Sequence, residues 1–153
     1  MIAFLVEANK FLYRFPDNII VKDTHSGDMK LIEHCRDDFI YRNYYVGYRS
    51  LNGKILILRD NKPIWVMAYE GGAINHEDSD DCVRKIYRFV RQNLARSTVE
   101  QPIRGPAEFQ DGKMHYNNSF FGSINKYNGA ETVTLEDQRI IYRLSYSGGD
   151  VIF

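Results

Sequence analysis

The sequence predicts an α+β fold: a curved, mostly antiparallel sheet of about six strands, with two helices packed on one face. Two stretches carry apolar residues at helical spacing, most of the remaining chain alternates in the manner of strands, and the two halves resemble each other. At 153 residues the chain is the size of one domain, and 1–153 reads as a single unit able to bury its own core.

The first helix is expected over residues 2–15, where Phe4, Ala8, Phe11 and Phe15 follow helical spacing and Leu5 and Leu12 widen the apolar face. Pro16 should end it, because the residue before a proline is pushed out of helical geometry. A loop, THSGDMK (Thr24 to Lys30), precedes a first repeat unit at about 39–74. A connecting helix follows at about 80–96. Ser79 is placed to cap it, Asp80 and Asp81 suit its positive end, and Val83, Ile86, Tyr87, Val90 and Leu94 form its buried stripe.

The second repeat unit, at about 114–152, echoes the first. FIYRNYYVG (Phe39 to Gly47) aligns with MHYNNSFFG (Met114 to Gly122), and NKPIWVMAYEGGAI (Asn61 to Ile74) aligns with QRIIYRLSYSGGDV (Gln138 to Val151). Asn52-Gly53 and Asn128-Gly129 read as hairpin turns between the first and second strands of each unit. The paired glycines after Tyr69 and Tyr146 then read as turns that end each third strand. Alternation puts Tyr142, Leu144 and Tyr146, like Trp65, Met67 and Tyr69, on the side facing the helices. Ile64, Val66 and Ala68 make the opposite side of one strand apolar as well, which predicts a covering element or a groove there.

Charge and composition narrow the function. Lys+Arg and Asp+Glu balance at 20 each, so no net field draws the protein to nucleic acid or to an acidic membrane surface. Glu7 interrupts the only early apolar run, no stretch reaches membrane-spanning length, and two cysteines without metal or redox spacing fit a reducing cytoplasm. The aromatic fraction, 14% with eleven Tyr and nine Phe, suits strands and also half-buried walls of a pocket or interface.

Familiar catalytic signatures are absent: there is no Gly-x-Ser-x-Gly elbow, no His-Glu-x-x-His helix and no phosphate loop. Cys35 beside His34 makes a thiolate pair only off a strand, since strand neighbours point apart. His76 and Cys82 lie near Glu77 and Asp78 without a recognised metal spacing, and helix capping accounts for the acids. Arg84, Arg88 and Arg91 share a helix face that a solvated surface explains, and acidic surroundings argue against phosphate at either Gly-Gly pair. Arg104, before Gly105-Pro106, is the residue that a rigid turn would hold in place to meet a carboxylate or phosphate; its alternative is a structural ion pair.

FLVEANKFLY, PIWVMAYEGG, IRGPAEFQDGKMHY and IIYRLSYSGGDV together resemble an uncharacterised domain family, whose members occur alone and as the C-terminal part of XRE-type, helix-turn-helix transcriptional regulators. The resemblance implies a partner or effector module and supplies no catalytic residues. Three readings follow. The first is a non-enzymatic ligand-binding or regulatory interaction module, with a pocket or groove on the aromatic-rich sheet, to be looked for between the sheet and the loop Thr24 to Lys30. The second is a small enzyme acting on a polar substrate, in which Arg104 orients an anionic group and a Tyr or a carboxylate such as Glu70 or Glu108 moves a proton. The third is a homodimeric or partner-binding protein with an aromatic interface. The candidate ligand-binding residues are Tyr44, Tyr48, Ile64, Val66, Glu70, Arg104 and Glu108, with a small-molecule effector or a protein as partner. No cofactor, metal, membrane or direct nucleic-acid partner is expected.

Overall fold

A computed structural model describes all residues except Pro16, Asn18, His25, Ser26 and His76. The expected terminator Pro16, part of the loop Thr24 to Lys30 and the metal candidate His76 therefore lie outside the described residues. The chain forms α1 (Ile2–Arg14), β1 (Val21–Asp23), β2 (Lys30–Arg36), β3 (Phe39–Gly47), β4 (Ser50–Arg59) and β5 (Lys62–Ala73). It continues through α2 (Asp80–Leu94), β6 (Glu108–Asp111), β7 (Met114–Ser123), β8 (Lys126–Leu135) and β9 (Ile140–Asp150). All nine strands belong to one open, curled antiparallel sheet in the order β1-β2-β3-β4-β5-β9-β8-β7-β6.

The architecture is thus α+β, with nine strands where about six were expected. The additional strands are β1, β2 and β6, which flank the two three-stranded units and lack the run of alternating apolar residues seen in β5 or β9. The two halves meet along β5 and β9. Tyr69 stands opposite Tyr146, and the flanking pairs Trp65 with Asp150 and Ala73 with Tyr142 exchange places on interchanging the two halves. A local pseudo-twofold therefore passes between the two tyrosines. It carries detail beyond strand order: Tyr69 donates to Asn43 Oδ1 at 2.8 Å, and Tyr146 donates to Asn118 Oδ1 at 2.5 Å. Register irregularities also fall at corresponding points, between Ile57 and Leu58 in β4 and between Val133 and Thr134 in β8.

That repeated hydrogen bond explains why the Asn-Gly pairs are not turns. Gly53 lies inside β4, paired with Tyr45 and Tyr69, and Gly129 lies inside β8, paired with Phe120 and Tyr146. A Cβ on Gly53 would come within 2.4 Å of the Tyr69 ring, and one on Gly129 within 2.6 Å of the Tyr146 hydroxyl. Each glycine makes room for the tyrosine to cross its strand and reach the asparagine. The β3–β4 reversal falls instead between Gly47, at positive φ (93°), and Ser50, and the β4–β5 reversal uses Asp60 and Asn61, both at positive φ (50° and 61°).

The Gly-Gly pairs do not end their strands either. Gly71 and Gly72 continue β5, paired with Leu51 and Ser50 on one side and with Leu144 and Arg143 on the other. With both edges committed to the ladder, they form no anion nest.

The core lies between the helices and one sheet face. Its sheet side holds Tyr41, Ile55, Ile57, Trp65, Met67, Tyr116, Val133, Tyr142 and Leu144, matching the alternation in sequence. Helix α1 contributes Phe4, Leu5, Ala8 and Leu12, whereas Phe11 and Phe15 are 48% and 55% exposed. The buried stripe is centred one position away from that expected, and Phe11 lies beside the His34 ring at 4.6 Å instead. Helix α2 begins at Ser79, whose Oγ accepts from Cys82 N at 3.3 Å, and buries Val83, Ile86, Phe89, Val90 and Leu94.

Candidate functional site: a cleft between α2 and the sheet

Helix α2 is tied down at its N-terminus. Arg49, in the β3–β4 turn, donates through Nη1 to the Asp78 carbonyl at 2.5 Å and through Nη2 to Asp80 at 2.7 Å. Tyr87 donates to the Arg49 carbonyl at 3.1 Å and meets the Tyr142 ring edge-on, with centroids 5.8 Å apart. The helix is thereby held over β3 and β4 without closing on them completely. A cleft of about 410 Å³ remains, within the size range of small-molecule sites.

Its apolar walls come from Tyr45, Leu51, Tyr87 and Val90. Among the described residues four cations line it (Lys30, Arg84, Arg91 and Arg104), and no Asp or Glu does. Three of the four have carboxylate partners: Lys30 with Asp23, Arg84 with Asp81 and Arg104 with Glu131. Arg91, exposed on the last turn of α2, makes no ion pair with any described residue. Burial pushes the Tyr45 phenol up against the opposing pull of Arg91, and burial pushes Tyr87 up to about 12.

Beneath the cleft is a sealed polar network. Glu131 (0% exposed) and Arg104 (7%) form an ion pair, Tyr142 donates to Glu131 Oε1 at 2.8 Å, and Tyr116 donates to Oε2 at 2.5 Å. Arg104 has positive φ (65°), and the next residue, Gly105, donates its N–H to the Tyr116 hydroxyl at 3.2 Å. Asn118 Nδ2 donates to the carbonyls of Ile103 and Gly105 at 2.9 and 3.0 Å, fixing the turn. Burial works against the Arg104 charge, but the Glu131 carboxylate and neighbouring phenols outweigh it and hold the guanidinium above its usual pKa. Burial first and the carboxylate second push the Tyr116 and Tyr142 phenols well above their ordinary range. Arg104 Nε is buried without an acceptor among the described residues.

The raised phenol pKa values set an alkaline limit on stability. Each buried tyrosine holds its proton more tightly folded than unfolded, so its contribution is intact below about pH 10 and is lost as pH rises through and beyond that value. The urea midpoint should therefore hold steady to about pH 9 and fall above about pH 10, with tyrosinate absorbance appearing together with unfolding. Ionisation of most tyrosines near pH 10 in a protein that stays folded would contradict a sealed network.

The structure disperses the residues singled out from sequence. Tyr48 and Arg104 line the α2 cleft. Glu70 lies on the opposite sheet face, beside Ala68 in a wide, shallow depression; Ile64 and Val66 are half-buried on β5, and Tyr44 is half-buried on β3. Glu108 is exposed on the edge strand β6, opposite Asn117. Cys35 and Cys82 are both exposed and free, and no cluster of three or more His, Cys, Asp or Glu positioned for a metal occurs among the described residues. No helix among the described residues is long and apolar enough to cross a membrane.

Sequence reading missed Glu131, Tyr45, Tyr87 and Arg91 as site residues. For Glu131 a signal existed, since it falls in the inward phase of β8 with Tyr127 and Val133. Tyr45, Tyr87 and Arg91 come together only through the placing of α2 over β3, which no local pattern specifies.

Fold and site together define an α+β domain whose antiparallel sheet and second helix enclose an aromatic, cation-lined cleft. Residues 43–151 match the family model described as a domain of unknown function (DUF5680), and the chain belongs to that family. No curated protein and no solved structure matches the chain.

Proposed function

We propose that the protein is a non-enzymatic module that binds a small molecule in the cleft between α2 and the sheet. The observation that carries this reading is the cleft itself: half-buried tyrosines and aliphatic side chains around about 410 Å³ of space, over a rigid polar floor. Arg104, the residue best placed by sequence to handle an anionic substrate, already has its charge met by Glu131, and Glu70 and Glu108 lie elsewhere. That arrangement suits binding better than proton transfer. Resemblance to domains fused to helix-turn-helix regulators supports an effector-sensing role.

Trp65 is a poor reporter of this event, because it is fully buried under α1, stacks on Tyr127 at 5.7 Å and does not line the cleft. Thermal stabilisation across a metabolite library is the better test. Some compounds should raise the melting temperature of the native protein but not of Leu51→Trp, in which a larger ring fills the cleft. If no compound acts on the native protein, or if active compounds stabilise both proteins equally, the cleft is not the site.

A further inference from the structure

We infer, building on the binding role proposed above, that the cleft takes an amphipathic organic anion: a flat apolar body carrying one oxyanion group, which Arg91 receives. Among the described residues the cleft is lined by four cations and no carboxylate, in a chain whose charges balance, so what decides its charge is which of the four lack a partner. Lys30, Arg84 and Arg104 are each engaged by a carboxylate, which leaves Arg91 with its guanidinium uncommitted among the described residues.

The position of Arg91 in the last turn of α2 is favourable to any cation because of the helix dipole. Its surroundings are specific to this cleft. Tyr45 and Tyr87 lie close enough for Arg91 to oppose the upward push of burial on both phenols. An anion beside Arg91 would therefore have aromatic surfaces next to it and Leu51 and Val90 behind. A guanidinium offers paired donors that match a carboxylate or a phosphate, and both share the oxyanion chemistry required here.

The test uses two dyes of similar ring size, anilinonaphthalene sulfonate and uncharged N-phenylnaphthylamine, with the intact chain at neutral pH. The native protein should bind both. Arg91→Leu should weaken the sulfonate at least about tenfold while leaving the neutral dye within about twofold. Arg88→Leu, on the same helix but outside the cleft, should change neither. Arg91→Gln, which keeps a polar side chain, guards against an altered fold, and each variant should retain the native melting temperature. Displacement by naphthoate compared with naphthyl phosphate then separates carboxylate from phosphate ligands. Equal binding of the sulfonate to native and Arg91→Leu proteins, or equal displacement by uncharged naphthol, overturns the anion assignment and leaves the cleft as a neutral-ligand site. Binding of neither dye to the native protein removes the binding proposal as well.

Discussion

Replacing Glu131 by leucine should destabilise the protein by about 3–5 kcal/mol, because it leaves the Arg104 charge buried and unpaired. The effect should be the largest of any single polar substitution here, since Glu131 also accepts from Tyr116 and Tyr142. Urea unfolding measures it. The double variant Glu131→Leu with Arg104→Met should recover much of the loss, because removing both charges removes the unpaired one. A single variant that loses less than about 1 kcal/mol would mean that Arg104 reaches solvent. The corresponding place in the first half holds Ile55, which pairs with Asn43 as Glu131 pairs with Asn118. There Tyr41, the counterpart of Tyr116, meets the Tyr13 hydroxyl at 3.1 Å in place of a carboxylate. The halves thus share a framework and differ in whether a charge is buried.

Gly71→Ala should cost about 3 kcal/mol or more. Gly71 has φ of 138°, in a region that residues with a Cβ rarely adopt, and an added Cβ would lie 2.2 Å from the Arg143 carbonyl oxygen. No flexible side chain is available to yield, so β5 and β9 must separate. Calorimetry should show a lower melting temperature, and amide exchange should quicken at Leu144 and its neighbours on β9. In contrast, Gly112, in the β6–β7 turn, has open space around it, and its substitution should incur only the strain of its positive φ (55°). Equal losses at the two sites would show that backbone conformation alone matters.

The sequence made the elements with strong periodicity legible. Helix α2 showed its cap, its acidic first turn and its stripe, and β9 showed its inward face. The errors came from residues whose meaning depends on a distant partner. Asn-Gly favours a hairpin locally, but Gly53 and Gly129 answer to tyrosine rings arriving from neighbouring strands. The Tyr-x-Gly-Gly echo marked the junction of the two halves, which becomes evident only once β5 pairs with β9. Strands β1 and β6 are too short and exposed to register as alternating patterns. The cleft was least legible because its lining is drawn from both helices, from β1 to β5, from β9 and from the segment that carries Arg104.

The β5–β9 junction also has a consequence during synthesis. Strand β5 pairs with β4 at once, but its other edge waits until α2 and strands β6 to β8 have been made and β9 emerges. Through that interval a long strand, apolar on much of both faces, presents an open hydrogen-bonding edge, the kind of template on which nascent chains associate. The glycines at its end shorten the apolar stretch of that edge. At Gly71 the register leaves no room for a Cβ against the Arg143 carbonyl, so β9 can dock there only on a glycine.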